Sequence, residues 1–382
     1  MILTKIRRKI LRRYCRHRSV TGFDAYYNKV FAENTELRGL RNRSCPKEKE
    51  WLQRWNSYGL RVSPLSYRIF SHYVGPQMDL APLELIAAVV EPVLCPPQYS
   101  AYYGDKNMFD HIYSGLPMPT TLLHNIGGIY YDNAYRRTDP ATVLTPLHLP
   151  ETLVVKPANA YGGEGVLLLQ KTNGYRTTDG DTLSPEMLEH RYGQDFIVQT
   201  GIAQSDFMAQ FNPSSVNTVR VATYRDVHTG EIHPIGAMMR MGSAGAAVDN
   251  VHAGGRFVGV DVASGRLGCA ALNEVGETAA AFNGVSLGEG TYCIPHWDRI
   301  LGLATAVAER NVHHRLLALD IALDVDEQPL LVEANVESFG AWVFQFTSGP
   351  VFGAWTQEIF DYCYKHYQLL DALPQYYEPK TT

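Results

Sequence analysis

Twenty consecutive residues, LLALDIALDVDEQPLLVEAN from Leu316 to Asn335, constrain the fold more than any other part of the chain. Two apolar-rich runs flank the polar tip Asp326-Glu327, so the segment reads as an antiparallel hairpin. A turn centred on that tip sets Asp320 opposite Glu333, and directly opposed residues hold their Cβ atoms roughly 4.5–5.5 Å apart. Side chains alternate along a strand, so Glu333 and Asn335 share the Asp320 face, while Leu319, Ile321, Leu323, Val332 and Ala334 form the apolar face that seeks a core. Two adjacent carboxylates repel unless a cation or a proton intervenes, and Asp, Glu and Asn oxygens suit Mg²⁺. The plainer reading is a solvated outer face. Asp-Glu is a poor pair for a tight turn, but a longer loop about the same centre keeps the register. The pattern points to a divalent-metal site with Asp320, Glu333 and Asn335 as its ligands.

The 382 residues are 45% hydrophobic and 19% charged, enough for two or three packed units of an ordinary soluble globular protein. A net charge of −5 argues against nucleic acid as the main partner. The charge is uneven: residues 1–18 hold eight Lys or Arg and no acid, which leaves 26 basic against 39 acidic residues beyond them. Leu3, Ile6, Ile10 and Tyr14 form an apolar stripe at helical spacing beside those cations. Such a helix can lie on an anionic membrane surface; the plainer reading is a helix packed on the body with its charges in water, and an organellar transit peptide is a third option. Six cysteines without a CxxC or a Cys/His metal spacing fit reduced thiols in a cytoplasm. No run approaches the roughly 18 apolar residues of a membrane span, and no secretory signal is evident.

Along the chain, residues 1–75 read as mostly helical, with breaks near Pro46 and Pro64. An apolar patch, LELIAAVVEPVL, is closed by Pro96-Pro97, and a helix beginning near Asp105 stops at Gly115. From 152 onward strands become regular, at 153–156, 165–170, 196–199, 217–224, 232–240 and 256–260, with helices at 185–191, 297–309 and about 352–367 and a Gly- and Ala-rich loop region at 272–290. Mostly antiparallel strands with flanking helices indicate α+β packing.

Leu153–Pro157 is a short strand that delivers one cation, Lys156, to the loop Ala160-Tyr161-Gly162-Gly163-Glu164-Gly165. Glycines let backbone N–H groups approach phosphate oxygens, and a nearby Lys adds a point charge. The loop is not a Walker A sequence, which carries Lys after its last Gly, nor a dinucleotide fingerprint, since a strand follows it. Alone it reads equally well as a plain glycine turn. Combined with the later Asp-x₁₂-Glu-x-Asn hairpin, it resembles the ATP-grasp superfamily, over roughly residues 102–365. Ser215–Val221 (SVNTVRV) and Val248–Gly255 (VDNVHAGG) look like the sugar-transfer-associated subgroup.

The resemblance implies an ATP-grasp fold, two α+β lobes clamping ATP: a helical region at 1–100, a first lobe at 101–200, a second at 201–370 and a tail at 371–382. It implies that Lys156 contacts the α/β-phosphates, that Gly162, Gly163, Glu164 and Gly165 cover the β/γ-phosphates, and that Asp320, Glu333 and Asn335 bind one or two Mg²⁺. Phe196–Ile202, including Gln199, Thr200, Gly201 and Ile202, becomes the interlobe segment against adenine, with Gln199 in place of the usual acid. Lys106 resembles the upstream nucleotide-binding lysine, with a helix-start surface Lys as the alternative, and Asn217 joins the nucleotide set. Arg220 and Arg240 suit phosphate or a carboxylate, or else form ion pairs at strand ends. Many family ligases carry Arg two residues before the metal Asp where this chain has Ala318, so transition-state charge falls to Arg220 or Arg240. Asp249 and His252 can orient an amine or act as a base, and Arg256 is a further carboxylate candidate. The tract Phe339, Trp342, Phe344, Phe346 reads as core or as a stacking surface.

The activity implied is an ATP- and Mg²⁺-dependent carboxylate–amine ligase working through an acyl phosphate, on a small-molecule or glycan carboxylate such as a uronic or amino acid. The alternatives are a phosphotransferase acting on a hydroxyl and a nucleotide-binding scaffold without turnover.

Overall fold

The computed structural model describes residues 2–144, 149–160, 162–172, 174–177, 179–246, 249–288, 291–337 and 339–367. For residues 2–12, 14, 15 and 172 the backbone alone is described. The side chains of the stripe Leu3, Ile6, Ile10 and Tyr14, the loop residue Tyr161, Val248 and the tail 371–382 therefore lie outside the described residues.

Runs of β-branched, aromatic and leucyl residues at period two build two antiparallel sheets, as the α+β reading anticipates. The first comprises β1 (Thr121–Ile126), β2 (Ile129–Tyr131), β3 (Thr152–Pro157), β4 (Leu167–Thr172), β5 (Gly174–Thr177) and β6 (Phe196–Thr200), in the order β2-β1-β6-β3-β4-β5. Its core gathers Leu123, Leu153, Val155, Leu169, Phe196 and Val198 with Leu188 of the helix Pro185–Tyr192. That helix starts where Ser184 Oγ accepts from the Met187 amide. The second sheet comprises β7 (Thr218–Arg225), β8 (Ile232–Met241), β9 (Arg256–Val260), β10 (Ala271–Leu272), β11 (Thr278–Ala279), β14 (Leu316–Leu323) and β15 (Pro329–Asn335), in the order β11-β10-β9-β8-β7-β14-β15. The expected loop region near 272–290 thus contributes two short strands to this sheet and a separate hairpin of β12 (Ala281–Phe282) and β13 (Val285–Ser286).

The second sheet is buried on both faces. Helix Trp297–Arg310 lays Ile300, Leu303, Ala304 and Val307 over Val219, Val221, Met239, Leu317 and Leu319, the apolar spacing of a helix docked on one side. The opposite face carries Ala222, Tyr224, Leu316 and Ala318 in a core shared with helices Ile2–Glu33, Glu48–Asn56 and Pro64–Val74 and with the C-terminal helices Ala341–Thr347 and Thr356–Tyr367. Phe339, Phe344 and Phe346 are buried here, so most of the aromatic tract is core, while Trp342 is only partly covered. Trp55 meets Phe360 edge-on at 4.6 Å, tying N-terminal to C-terminal helices, and Trp51 stacks on Tyr67 at 4.9 Å between two N-terminal helices. The helix expected from Asp105 is shorter, a 3₁₀ turn Lys106–Met108 followed by one α-turn Phe109–Ile112.

The hairpin keeps its predicted pairing of Asp320 with Glu333, by an unpredicted route. At the tip the register is one residue shorter, with Leu323 opposite Pro329 and Ile321 opposite Leu331, and Glu327 takes a left-handed conformation. A bulge at Val332 then restores the expected register from Asp320 to Ala318. Val332 is corrected by this bulge: it leaves the core face and lines the same cavity as Glu333, while Leu331 takes the core position.

Truncating Trp55 empties the contact between the two helical groups. Trp55→Ala should cost about 3–5 kcal/mol, measurable as a fall in the urea midpoint with an unchanged slope.

Candidate active site

Strand register explains the charged centre of the second sheet. Arg220 on β7 lies directly opposite Asp320 on β14, and its Nε and Nη2 donate to Asp320 Oδ1 and Oδ2, each at 2.7 Å. Arg240, one strand further on β8, donates Nη1 to Asp320 Oδ2 at 2.8 Å and places Nη2 3.1 Å from Asp249 Oδ1. The other Asp249 oxygen accepts a short hydrogen bond from the Thr218 hydroxyl. Burial works against the Asp320 carboxylate, but Arg220 and Arg240 outweigh it and hold its pKa below the usual range. For Asp249 burial wins over Arg240 and the pKa rises.

Between this cluster and the first sheet lies a cavity of about 150 Å³. One part is apolar, lined by Val154, Leu168 and Ile202, with Gln199 at its edge held by a hydrogen bond from Nε2 to Thr121 Oγ1 at 3.0 Å. The other part is charged: Lys106 and Lys156 stand across from Asp320 and Glu333, beneath Gly162, Gly163 and Glu164. Lys106 Nζ donates to Ala160 O at 2.6 Å and pairs with Glu333 Oε1 at 2.9 Å, so it is no surface lysine. Asn250 donates from Nδ2 to Gly162 O, which latches the glycine loop onto the loop that carries Asp249. Thr200 and Asp249 also reach the cavity wall.

Several expected residues stand elsewhere. Asn217 is corrected: its buried Nδ2 ties Gln204, Met208 and Asn212 together, so it braces the chain ahead of β7. Arg256 is corrected too, because its Nη1 donates to the Ala271 and Glu277 carbonyls at the far end of the sheet. Gly165 and Gly201 do not line the cavity. A Cβ on Gly165 would sit 2.7 Å from Pro157 and one on Gly201 2.7 Å from Thr152, so both serve close chain approach. His252 is exposed, with Nδ1 3.1 Å from Glu274 Oε2, at the mouth of a second cavity. Sequence reasoning missed Thr218, although its period-two relation to Arg220 places it on the same face, and Asn250, which carries no signal beyond its neighbour Asp249.

The donor set fits Mg²⁺ in kind, with two carboxylates and a carboxamide on one face of β14 and β15. The expected trio needs one correction. Both Asp320 oxygens are engaged by guanidinium groups, and among the described residues no cluster of three His, Cys, Asp or Glu stands open to a metal. Glu333 lines the nucleotide cavity, whereas Asn335 lines the second cavity; Asn335 spends its Nδ2 on Ala318 O and Asp320 Oδ2, which leaves its Oδ1 as a donor oxygen. Asp320 Oδ2 accepts from Arg220, Arg240 and Asn335, whereas Oδ1 accepts from Arg220 Nε alone and keeps a lone pair for a metal.

The model of the sugar-transfer associated ATP-grasp family matches residues 90–359. The chain belongs to this ATP-grasp family. Similar solved structures include an L-amino acid ligase from Bacillus licheniformis, 14% identical over 69% of this chain and 48% of that one with a TM-score of 0.39. A D-cycloserine synthetase, DcsG, is 12% identical over 71% and 73% with a TM-score of 0.43. A D-alanine–D-alanine ligase from Bacillus anthracis is 10% identical over 71% and 70% with a TM-score of 0.38. The chain thus spans less than half the length of the first of these. No curated protein matches the sequence. Among the described residues no helix is long and apolar enough to cross a membrane.

Burial pushes the Lys156 ammonium down to about 8, Glu333 opposing this and Lys106 adding to it. The unfolded lysine titrates near 10.4, so between these values the unfolded chain binds more protons and Lys156 makes the ATP-grasp protein gain stability as pH rises. A polyphosphate placed beside the ammonium reverses that depression. Binding of a non-hydrolysable ATP analogue at pH 8.5 should therefore take up roughly 0.7 proton, read by calorimetry in two buffers of different ionisation enthalpy, and Lys156→Met should abolish the uptake.

Proposed function

We propose that the protein is an ATP-dependent carboxylate–amine ligase that forms an amide through an acyl phosphate. One observation carries the reading: two lysines, a glycine loop and the Asp320/Glu333 hairpin face one another across a single cavity that also has an apolar slot of Val154, Leu168 and Ile202. The apolar slot beside Gln199 suits a purine ring, and Lys106, Lys156 and the loop amides suit its phosphates.

The chain's own groups do the positioning. Lys156 and Lys106 neutralise phosphate charge, the loop at 162–165 covers the phosphates and excludes water, and Arg240 bridges the nucleotide cavity to the second cavity beside it. Mg²⁺ held by Glu333 and Asn335 beside Asp320 would supply countercharge to the β- and γ-phosphate oxygens. A carboxylate oxygen presented from the second cavity attacks the γ-phosphorus, the bond from phosphorus to the β,γ-bridging oxygen breaks, and ADP leaves. An amine nitrogen then attacks the acyl carbon, the carbon–oxygen bond to phosphate breaks, and the nitrogen loses a proton. Arg220 and Arg240 take the place of the arginine absent at Ala318 and face the charge that develops.

Glu333→Gln keeps the size of the side chain and removes its charge. It should lower Mg²⁺-dependent ADP release by at least about a hundredfold while far-ultraviolet circular dichroism at the assay temperature matches the parent; near-parental turnover removes the role given to Glu333. A screen of carboxylates with and without an amine pool, read by mass spectrometry, tests the reaction class. An amide conjugate supports the ligase, and a phosphorylated product formed without amine replaces it with a phosphotransferase.

A further inference from the structure

The second cavity, about 210 Å³, meets the nucleotide cavity at Gly162, Arg240 and Asn250. One end carries Arg220 and Arg240. Arg220 spends Nε and one Nη2 hydrogen on Asp320, leaving the Nη1 hydrogens and the second Nη2 hydrogen as donors. The N-terminal helices contribute an apolar part of the wall through Phe23, Leu83, Ile86 and Ala87, helix Ala341–Thr347 adds Trp342, and Asn250, His252 and Asn335 add polar lining. All four N-terminal residues precede position 90, where the family match begins. This part of the wall lies outside the segment that the family match covers.

Glu91 also lines this cavity. Its Oε1 accepts from the Phe339 amide at 3.2 Å, and among the described residues no ion pair reaches it. The contrast with Glu84, seven residues earlier on the same helical run, is direct. Glu84 is fully buried, and its two oxygens accept from the Tyr27 hydroxyl at 2.6 Å and the Ser63 amide at 2.7 Å, which makes it a structural group. Glu91 has one backbone donor and an open face on a cavity. A desolvated carboxylate is costly unless paired, so one that faces a partly apolar cavity is suited to a cation brought by a ligand.

We propose that the second cavity binds the carboxylate substrate as an amino carboxylate, its ammonium held by Glu91, its carbon chain against the N-terminal helices and its carboxylate turned toward Arg220 and Arg240. The assignment rests on the ligase reading, in which that carboxylate is the group activated. Glu91 acts in recognition, because an ammonium held by a carboxylate has no lone pair to react with. Burial, reinforced by Glu337, holds the empty Glu91 at a pKa of about 7, and an arriving ammonium draws it into the ionised form. A neutral or anionic group in the same place gains no such ion pair and binds more weakly.

The test is binding of ω-amino acids from glycine to 6-aminohexanoate, each against the matching unsubstituted carboxylate, to the full chain saturated with a non-hydrolysable ATP analogue and Mg²⁺. At least one amino compound should bind about tenfold or more tighter than its match, the strength of a charge-assisted hydrogen bond. Glu91→Gln, which still accepts from the Phe339 amide, should erase that preference, and Ala87→Trp should block the cavity to both members of the pair. Analogue binding should stay unchanged in both variants. No preference anywhere in the series, or a preference that survives Glu91→Gln, overturns the assignment while intact analogue binding leaves the nucleotide reading standing. Failure of the parent protein to bind the analogue overturns the nucleotide reading instead.

Discussion

The Asp320 carboxylate, clamped by Arg220 and Arg240, is the interaction on which the rest of the site depends. Three charge-assisted hydrogen bonds of 2.7–2.8 Å join three adjacent strands at one buried point. Removing either kind of partner from such a cluster leaves an uncompensated charge in low dielectric, at a cost on the order of 3–5 kcal/mol. That cost keeps both guanidiniums in place without a ligand. The two cavities lie on either side of the clamp, and Arg240 belongs to both. A group in one cavity and a group in the other therefore meet across the same cation. Such a geometry serves transfer of charge between two bound molecules, and the strand register that creates it comes directly from the β7–β14 pairing.

The N-terminal helices have a place in the same scheme. They cover the face of the second sheet that bears the clamp, through a core rich in Trp, Tyr and Phe, and they end as the wall of the second cavity. The π-helical turn Ile86–Val90 lies between Glu84 and Glu91; such turns recur where a helix serves a functional site. One helical run thus anchors the region through Glu84 and exposes Glu91 to the cavity.

Much of this was legible before any coordinates. Period-two patterning located the longer strands from residue 152 onward within a few residues, but not the short ones at 174–177 and 271–286, and the opposition of Asp320 and Glu333 follows from symmetry about Asp326-Glu327. Val332 escaped, because a bulge is set by the loop geometry of the tip and by what the strand packs against, neither of which alternation encodes. Asn217 and Arg256 stood in suggestive positions, yet their side chains satisfy nearby carbonyls, a demand visible only in three dimensions. Glu91 was unreadable in a different way. In LELIAAVVEPVL it resembles Glu84, and only the Tyr27 hydroxyl and the Ser63 amide, distant in sequence, separate a carboxylate with a donor on each oxygen from one with a single backbone donor.

A crystal structure of the protein with Mg²⁺ and a non-hydrolysable ATP analogue tests the central claim most directly. The account predicts the purine beside Gln199, the triphosphate between Lys106, Lys156 and the loop at 162–165, and the metal on Glu333 and Asn335 with Asp320 still in contact with at least one arginine. A triphosphate lodged away from the two lysines, or a metal bound without any oxygen of the hairpin, contradicts it.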